Sequence, residues 1–180
     1  MILIPKWNMV RQTPPGFIDH RPVLEAVRNS CRKEIDMDEL LLRNLILKTE
    51  DHPYHRFIGV KVEKAGEGIC RIRFSPSKNT LNLAGVVHGG IYYTVLDMAA
   101  FLASSSLVSN DQLTVTSDIN VSVMRAVAAG DMTAEAKVLK MGGRSCFIDS
   151  RIFDKDGNMV AIGRVTKAIL PFPKMKEMLA

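Results

Sequence analysis

The sequence predicts an α+β domain in which antiparallel strands surround one long apolar helix, with a helical extension in front of it. Residues 89–108 carry a single charge, residues 57–75 and 113–170 contain runs that alternate between apolar and polar side chains, and residues 21–48 repeat apolar residues at helical spacing. A helix without a polar face has to be covered by other elements, by a neighbouring subunit, or by both. The predicted order is therefore two strands, the helix and four more strands.

Composition indicates one globular domain with an appendage. The chain has 180 residues, of which 47% are hydrophobic and 24% charged, so wholesale disorder and fibrous structure are excluded. The net charge of +5 is spread thinly without a basic block, which argues against nucleic acid and suits an anionic small molecule. Three widely spaced cysteines form neither a disulfide framework nor a metal motif, so we expect no metal, no cofactor and a cytoplasmic protein.

The elements before residue 55 are predicted to be an arm and two helices. Residues 1–18 are interrupted by prolines and predict an irregular arm. Residues 21–34 have helical spacing, and residues 36–48 begin with acidic residues and have a wide apolar face. Pro53 ends this segment, so we assign residues 1–54 to an N-terminal arm and helical extension. We expect its helices to pack on the domain or to cover a face of the oligomer. Its predicted apolar face consists of Leu40, Leu41, Ile46 and Leu47.

The first two strands and the long helix follow. Residues 57–75 are typical of a hairpin around the glycine-containing stretch 64–68, and residues 76–87 read as a loop. The helix at 89–108 approaches the roughly 20 residues that span a bilayer. However, Asp97 near its centre would cost about 2.5–3.5 kcal/mol on insertion. We therefore expect a buried core helix and no membrane partner.

Four strands are predicted after the helix. Residues 113–124 alternate, which places one apolar row on a single face. That row consists of Val115, Ile119, Val121 and Val123. Residues 132–140 and 144–153 form the next two strands, and a last strand runs to Leu170 after the turn at 156–158. We assign residues 55–171 to the domain and 172–180 to a C-terminal tail.

Residues 82–97 carry a motif that resembles the hotdog-fold acyl-CoA thioesterases, specifically the phenylacetate-degradation (PaaI-like) subgroup. The pattern N-x-x-G-x-x-H-G-G, followed by six further residues and then D, is matched at Asn82, Gly85, His88, Gly89, Gly90 and Asp97. The similarity extends over about 55–170. It implies a hotdog fold, in which a sheet wraps a central helix, a homodimer or a dimer of dimers, and an acyl-CoA substrate.

Asp97 is the candidate general base or nucleophile. No Lys or Arg lies between Lys78 and Arg125, so the sequence offers no cation beside this carboxylate. Burial of a carboxylate without a partner is costly and raises its pKa, which suits a base or a nucleophile. The resemblance likewise implies that Asp97 is the catalytic carboxylate of the motif.

Gly89 and Gly90 precede Asp97 at the predicted start of the helix. The first amides of a helix lack internal acceptors and carry a partial positive charge, so Gly89 can polarise a thioester carbonyl and Gly90 can contact substrate. Gly89 and Asp97 are eight residues apart, or about 12 Å along a helix. A reacting carbonyl cannot contact both residues of one chain, so the site is expected to combine two subunits.

The remaining candidates have two interpretations each. Asn82 is either a turn former or a group that orients water or Asp97. His88 either caps the loop before the helix or acts as a base itself. Arg144, after two glycines, is a candidate for the phosphates of coenzyme A, and Arg125 is a weaker one. Both arginines can instead be solvated turn residues.

Parts of the sequence are also compatible with two function classes other than a thioesterase. An acyl-CoA-sensing regulator with N-terminal DNA-binding helices would suit the helices at 21–48, but their charges nearly balance and would bind a phosphate backbone poorly. A hotdog hydratase would need a histidine five residues after the aspartate, where this chain has Leu102. The sequence therefore favours hydrolysis of an acyl-CoA, with the sensing protein as the alternative.

Overall fold

The computed structural model describes residues 37–179, which lie within one compact unit. The predicted arm at 1–18 and helix at 21–34 lie outside the described residues. The helices are α1 (Glu39–Asp51), α2 (Pro53–Ile58), α3 (Gly89–Ser105) and α4 (Met175–Leu179). The strands are β1 (Lys61–Gly66), β2 (Ile69–Phe74), β3 (Gln112–Val123), β4 (Met132–Met141), β5 (Ser145–Asp154) and β6 (Met159–Pro171). The predicted order of two strands, a helix and four strands is confirmed.

The six strands form one antiparallel sheet in the order β1-β2-β4-β5-β6-β3. Helix α3 contacts every strand of this sheet, and 11 of its 17 residues are buried. The sheet thus supplies the cover that an apolar helix requires. This arrangement confirms the predicted α+β class and the hotdog architecture.

The middle of α3 lies close to the sheet. A Cβ atom on Gly163 of β6 would stand 3.3 Å from Cδ1 of Leu96, and the Ser150 hydroxyl donates to the Leu96 carbonyl over 3.0 Å. Because the helix is held here from two strands, the residue that follows Leu96 has a fixed position. That residue is Asp97, beside β3 and β6.

A bulge in β3 changes the predicted faces of this strand. The register against β6 shifts between Thr116 and Asp118, and the Ser117 hydroxyl donates to the Thr166 carbonyl over 3.1 Å. One extra residue in a strand reverses the faces on one side of it. The prediction that Val115 shares the inner face is therefore wrong. Val115 is 41% exposed, whereas Thr114 is buried.

The N-terminal helices pack through a narrower face than predicted. Asp38 caps α1 by accepting from the amides of Leu40 and Leu41, and the helix buries Leu41, Leu45 and Thr49. Two residues of the predicted apolar face, Leu40 and Leu47, are instead exposed. A helix turns once every 3.6 residues, so neighbouring apolar residues cannot all lie on the buried face.

The strand predicted to begin at Phe57 begins at Lys61. Residues 57 and 58 complete α2, which Gly59 ends in a left-handed conformation, with φ of 78°. That conformation favours glycine, which has no Cβ. Beyond the sheet, the tail folds into α4, which buries Met175 and Leu179 and contacts α1. No helix in the part of the chain described here is long and apolar enough to cross a membrane.

Candidate active site

Asp97 is hydrogen-bonded to two side chains of the sheet. Lys167 Nζ of β6 lies 2.8 Å from Asp97 Oδ1, and the Thr116 hydroxyl of β3 donates to the same oxygen over 2.6 Å. Lys167 Nζ also donates to Thr116 Oγ1 over 2.6 Å. The inference that Asp97 lacks a cationic partner is therefore wrong. Its partner comes from 70 residues further along the chain, where local sequence cannot reveal it.

The two charges of this pair differ in their access to solvent. The Lys167 side chain is 2% exposed and that of Asp97 is 37% exposed. Burial lowers the pKa of the Lys167 ammonium, and the charge and hydrogen bond of Asp97 oppose that effect. Among residues 37–179, Asp97 Oδ2 has no hydrogen-bond partner. The carboxylate thus reaches outward with one free oxygen while its counterion lies in the core.

A cavity of about 560 Å³ opens above Asp97. Helix α3 and strands β3 and β6 form its floor, while α1, α2 and α4 contribute one wall. That wall consists of Thr49, His55 and Met178. Tyr54 Oη lies 3.1 Å from Thr94 Oγ1, one turn before Asp97, and so connects this wall to the central helix. Apolar residues such as Met98, Phe101 and Leu113 line much of the rest, which suits an apolar group beside a carboxylate.

His88 caps the start of α3. Its Nδ1 accepts a hydrogen bond from the Gly90 amide over 3.0 Å, so that amide is not free for a ligand. The Gly89 amide, by contrast, has no acceptor among the described residues, and a Cβ added there would meet no atom within 4 Å. One free amide at the positive end of a helix, with open space beside it, can receive a developing oxyanion.

Asn82 forms the turn that leads into this cap. Its Oδ1 accepts from the amides of Ala84 and Val86, at 2.9 and 3.3 Å. These two bonds are those of a side chain that mimics a backbone turn. In its own chain Asn82 thus shapes the loop and makes no contact with Asp97.

The two candidate arginines lie at opposite ends of the sheet. The Arg144 carbonyl accepts from the Ile169 amide, and the Arg125 amide donates to the Val160 carbonyl. Nine residues of β6 separate Ile169 from Val160, which is roughly 30 Å at 3.3 Å per residue. Both arginines are exposed. One phosphate group cannot contact both arginines of the same chain.

The structure brings Asp97 together with Thr116 and Lys167, which sequence reasoning missed, and keeps Gly89 apart from them. One signal for Lys167 was present. Alternate residues of β6 face the helix, and Lys167 continues the buried row of Ala161, Gly163 and Val165. A lysine in an otherwise apolar row indicates a buried partner. Thr116 gave no such signal, because its inward orientation depends on the bulge.

Comparisons with known proteins agree with this architecture. A model of the thioesterase superfamily matches residues 84–161. A provisionally named esterase of Halobacterium salinarum is 34% identical over 64% of this chain and 83% of its own. The 1,4-dihydroxy-2-naphthoyl-CoA hydrolase of Escherichia coli is 25% identical over 63% of this chain and 84% of its own.

Solved structures show the same fold. A conserved protein of Pseudomonas aeruginosa has a TM-score of 0.64 at 30% identity, over 68% of this chain and 98% of its own. The PaaI protein from the phenylacetic acid degradation operon of E. coli has a TM-score of 0.68 at 21% identity, over 74% and 96%. The residues matched by the family model include Gly89 and Asp97 but end before Lys167.

Proposed function

Because the chain belongs to the thioesterase superfamily, we propose that it hydrolyses an acyl-coenzyme A to the free acid and CoA. The observation that carries this proposal is the half-exposed Asp97 carboxylate beneath a largely apolar cavity. The relative named as a naphthoyl-CoA hydrolase supports a CoA thioester as the substrate class. The acyl group occupies the cavity and its carbonyl lies near Asp97.

Asp97 acts as the general base in this proposal. Its free Oδ2 takes a proton from water while the water oxygen attacks the thioester carbonyl carbon. The resulting oxyanion is stabilised by an amide donor. The carbon–sulfur bond then breaks, and Asp97 returns the proton to the leaving sulfur, so that CoA departs as the thiol. If Asp97 were instead the nucleophile, it would form a mixed anhydride with the acyl group as the thiolate leaves, and hydrolysis of that anhydride at the Asp97 carboxyl carbon in ¹⁸O-water would place label in the carboxylate.

The amide donor comes from a second subunit. Gly89 and Asp97 of one chain are about 12 Å apart along α3, so Gly89 of one protomer serves Asp97 of the other. Strand β3 lies at the edge of the sheet and leaves a row of backbone groups for a partner strand. We propose a homodimer with two equivalent sites, and in some conditions a dimer of dimers.

Arg144 is the proposed contact for the phosphates of CoA. It follows Gly142 and Gly143 at a hairpin end, where its guanidinium has no ion-pair partner among residues 37–179. Arginine matches phosphate with two parallel hydrogen bonds. Arg125 lies at the opposite end of the sheet, near the start of α3, and remains the secondary candidate.

Asp97→Asn is the variant that tests the proposal. It keeps the shape of the side chain and removes the basic oxygen, so kcat should fall about 10²- to 10⁴-fold. Binding of a non-hydrolysable acyl-CoA analogue should survive, because most ligand contacts lie elsewhere. The measurement is hydrolysis of an acyl-CoA panel with a thiol-trapping reagent, beside calorimetric binding.

Three outcomes separate the function classes. Turnover by the native chain and loss in Asp97→Asn supports the thioesterase. Near-native turnover in a folded Asp97→Asn protein would remove this residue from the mechanism. Tight binding of acyl-CoA without turnover of any panel member by the native chain would instead indicate the acyl-CoA-sensing protein.

A further inference from the structure

Lys167 is a charged residue in the core that the proposed reaction leaves without a role. Its side chain is 2% exposed, and its ammonium makes two hydrogen bonds of 2.8 Å or less. A fully buried lysine is rare unless it is paired. The pair it forms with Asp97 is asymmetric, because the carboxylate is partly exposed to solvent and the ammonium is almost fully buried.

A purely structural ion pair would not need this difference in solvent exposure between its two charges. Burying both charges satisfies a structural pair, whereas here the carboxylate keeps one oxygen free at the floor of the cavity. Oδ1 is occupied by Thr116 and Lys167 together, and two bonds to one oxygen restrict rotation of the carboxylate. The free Oδ2 is thereby held in one orientation.

The other groups around the ammonium do not compete for its charge. From α3 the Phe101 ring lies 5.6 Å from Nζ. From β5 Cys146 lies beside Lys167 in the ladder, and burial raises the pKa of its thiol, so it stays neutral. From α2, His55 lines the same cavity, but its Nδ1 donates to the Thr49 carbonyl over 2.6 Å. Asp97 is therefore the anion that forms the ion pair with Lys167.

We propose that Lys167 is a positioning residue, which holds the Asp97 carboxylate in one orientation and presents its Oδ2 to the reacting water. The inference rests on the proposed function, because it assigns Lys167 a role in the same reaction. Thr116 completes the arrangement by accepting from Lys167 and donating to Asp97.

Lys167→Met tests this role, since it keeps the length of the side chain and removes its charge. We expect kcat at neutral pH to fall about 10²-fold, as for a misplaced catalytic group. KM should change much less than kcat, because the Lys167 side chain is only 2% exposed. Lys167→Arg, which keeps the charge, should recover part of the lost kcat. Lys140→Met, which removes an exposed charge on β4, is the matched control and should leave both kcat and KM unchanged.

Thr116→Val provides a second test that preserves the ion pair. Loss of one hydrogen bond to Oδ1 should lower kcat about two- to tenfold and leave KM unchanged. A purely structural role would lower the melting temperature of these variants and leave kcat of the folded protein native. A folded Lys167→Met protein with the native kcat would overturn the inference.

Asp97→Asn in the same series separates the two proposals. If Asp97→Asn is inactive and Lys167→Met behaves like the native chain, only the role of Lys167 is wrong. If Asp97→Asn is active, the base assignment itself has failed. If Lys167→Met does not fold, the kcat values of Thr116→Val and Lys167→Arg decide. Native kcat in both variants contradicts the positioning role.

Discussion

At the scale of single residues, the two adjacent glycines of the motif, Gly89 and Gly90, have different roles. The Gly90 amide donates to the ring of His88, so it maintains the cap. The Gly89 amide is the first of α3 and has no acceptor among the residues described. Substitutions can therefore separate the two amides, because each can be altered without the other.

Gly89→Pro should remove the proposed oxyanion donor without breaking the helix. Proline is tolerated at the first helical position, where its missing N–H costs no internal bond, and His88 before it is already extended, with ψ of 134°. We expect kcat to fall about 10²- to 10³-fold. Circular dichroism should show a native fold.

Gly89→Ala is the matched control for that substitution. It keeps the amide, and its Cβ meets no atom within 4 Å in the single chain, so it should retain much more activity than Gly89→Pro. Equal activity in the two variants would mean that the amide is not the donor.

The sequence could indicate Asp97, Gly89 and His88 because they belong to one contiguous motif on one helix. It could not indicate that Lys167 contacts Asp97, because that contact depends on which strand lies beside α3 and which of its faces turns inward. The expectation of a lone carboxylate failed for the same reason. A local window contains neighbours along the chain, not neighbours across the sheet.

At the scale of elements, α1 is tied to the domain by a few buried side chains. Leu45 is 4% exposed, and Leu40 on the same helix is 67% exposed. Leu45→Ala should lower the free energy of unfolding by about 2–5 kcal/mol. Leu40→Ala should change it by less than about 0.5 kcal/mol. Denaturant unfolding of the two variants measures this difference.

If Leu45→Ala unfolds like the native chain, α1 is not part of the cooperative core. Its packing was only partly predictable. Helical spacing indicated that a helix would form, but the width of the apolar run concealed which residues face inward. The bulge in β3 was hidden in a similar way, because the residues before and after Ser117 keep the same odd–even alternation of apolar and polar types.

At the scale of the whole molecule, the proposed site needs two chains. Inactive Asp97→Ala chains mixed with inactive Gly89→Pro chains should regain activity. Each mixed dimer pairs one intact Asp97 with one intact Gly89, so it contains one working site of two. With random exchange of equal amounts, half of the dimers are mixed, and activity should approach about a quarter of the native value.

The control is each variant alone after the same exchange treatment, which should stay inactive. If mass spectrometry shows that mixed dimers form but these dimers have no activity, both groups of each site lie in one chain. Native activity of a strictly monomeric species in sedimentation would contradict the two-chain site as well.

The wall of the cavity has a practical consequence for anyone who handles this protein. Met178 of α4 lines the cavity above Asp97, and the next residue, Leu179, is buried. Any polypeptide that continues from this helix, such as a purification tag, therefore starts close to this cavity. A tag fused after α4 can compete with the substrate for this cavity. The position of the tag can therefore change the measured kinetics.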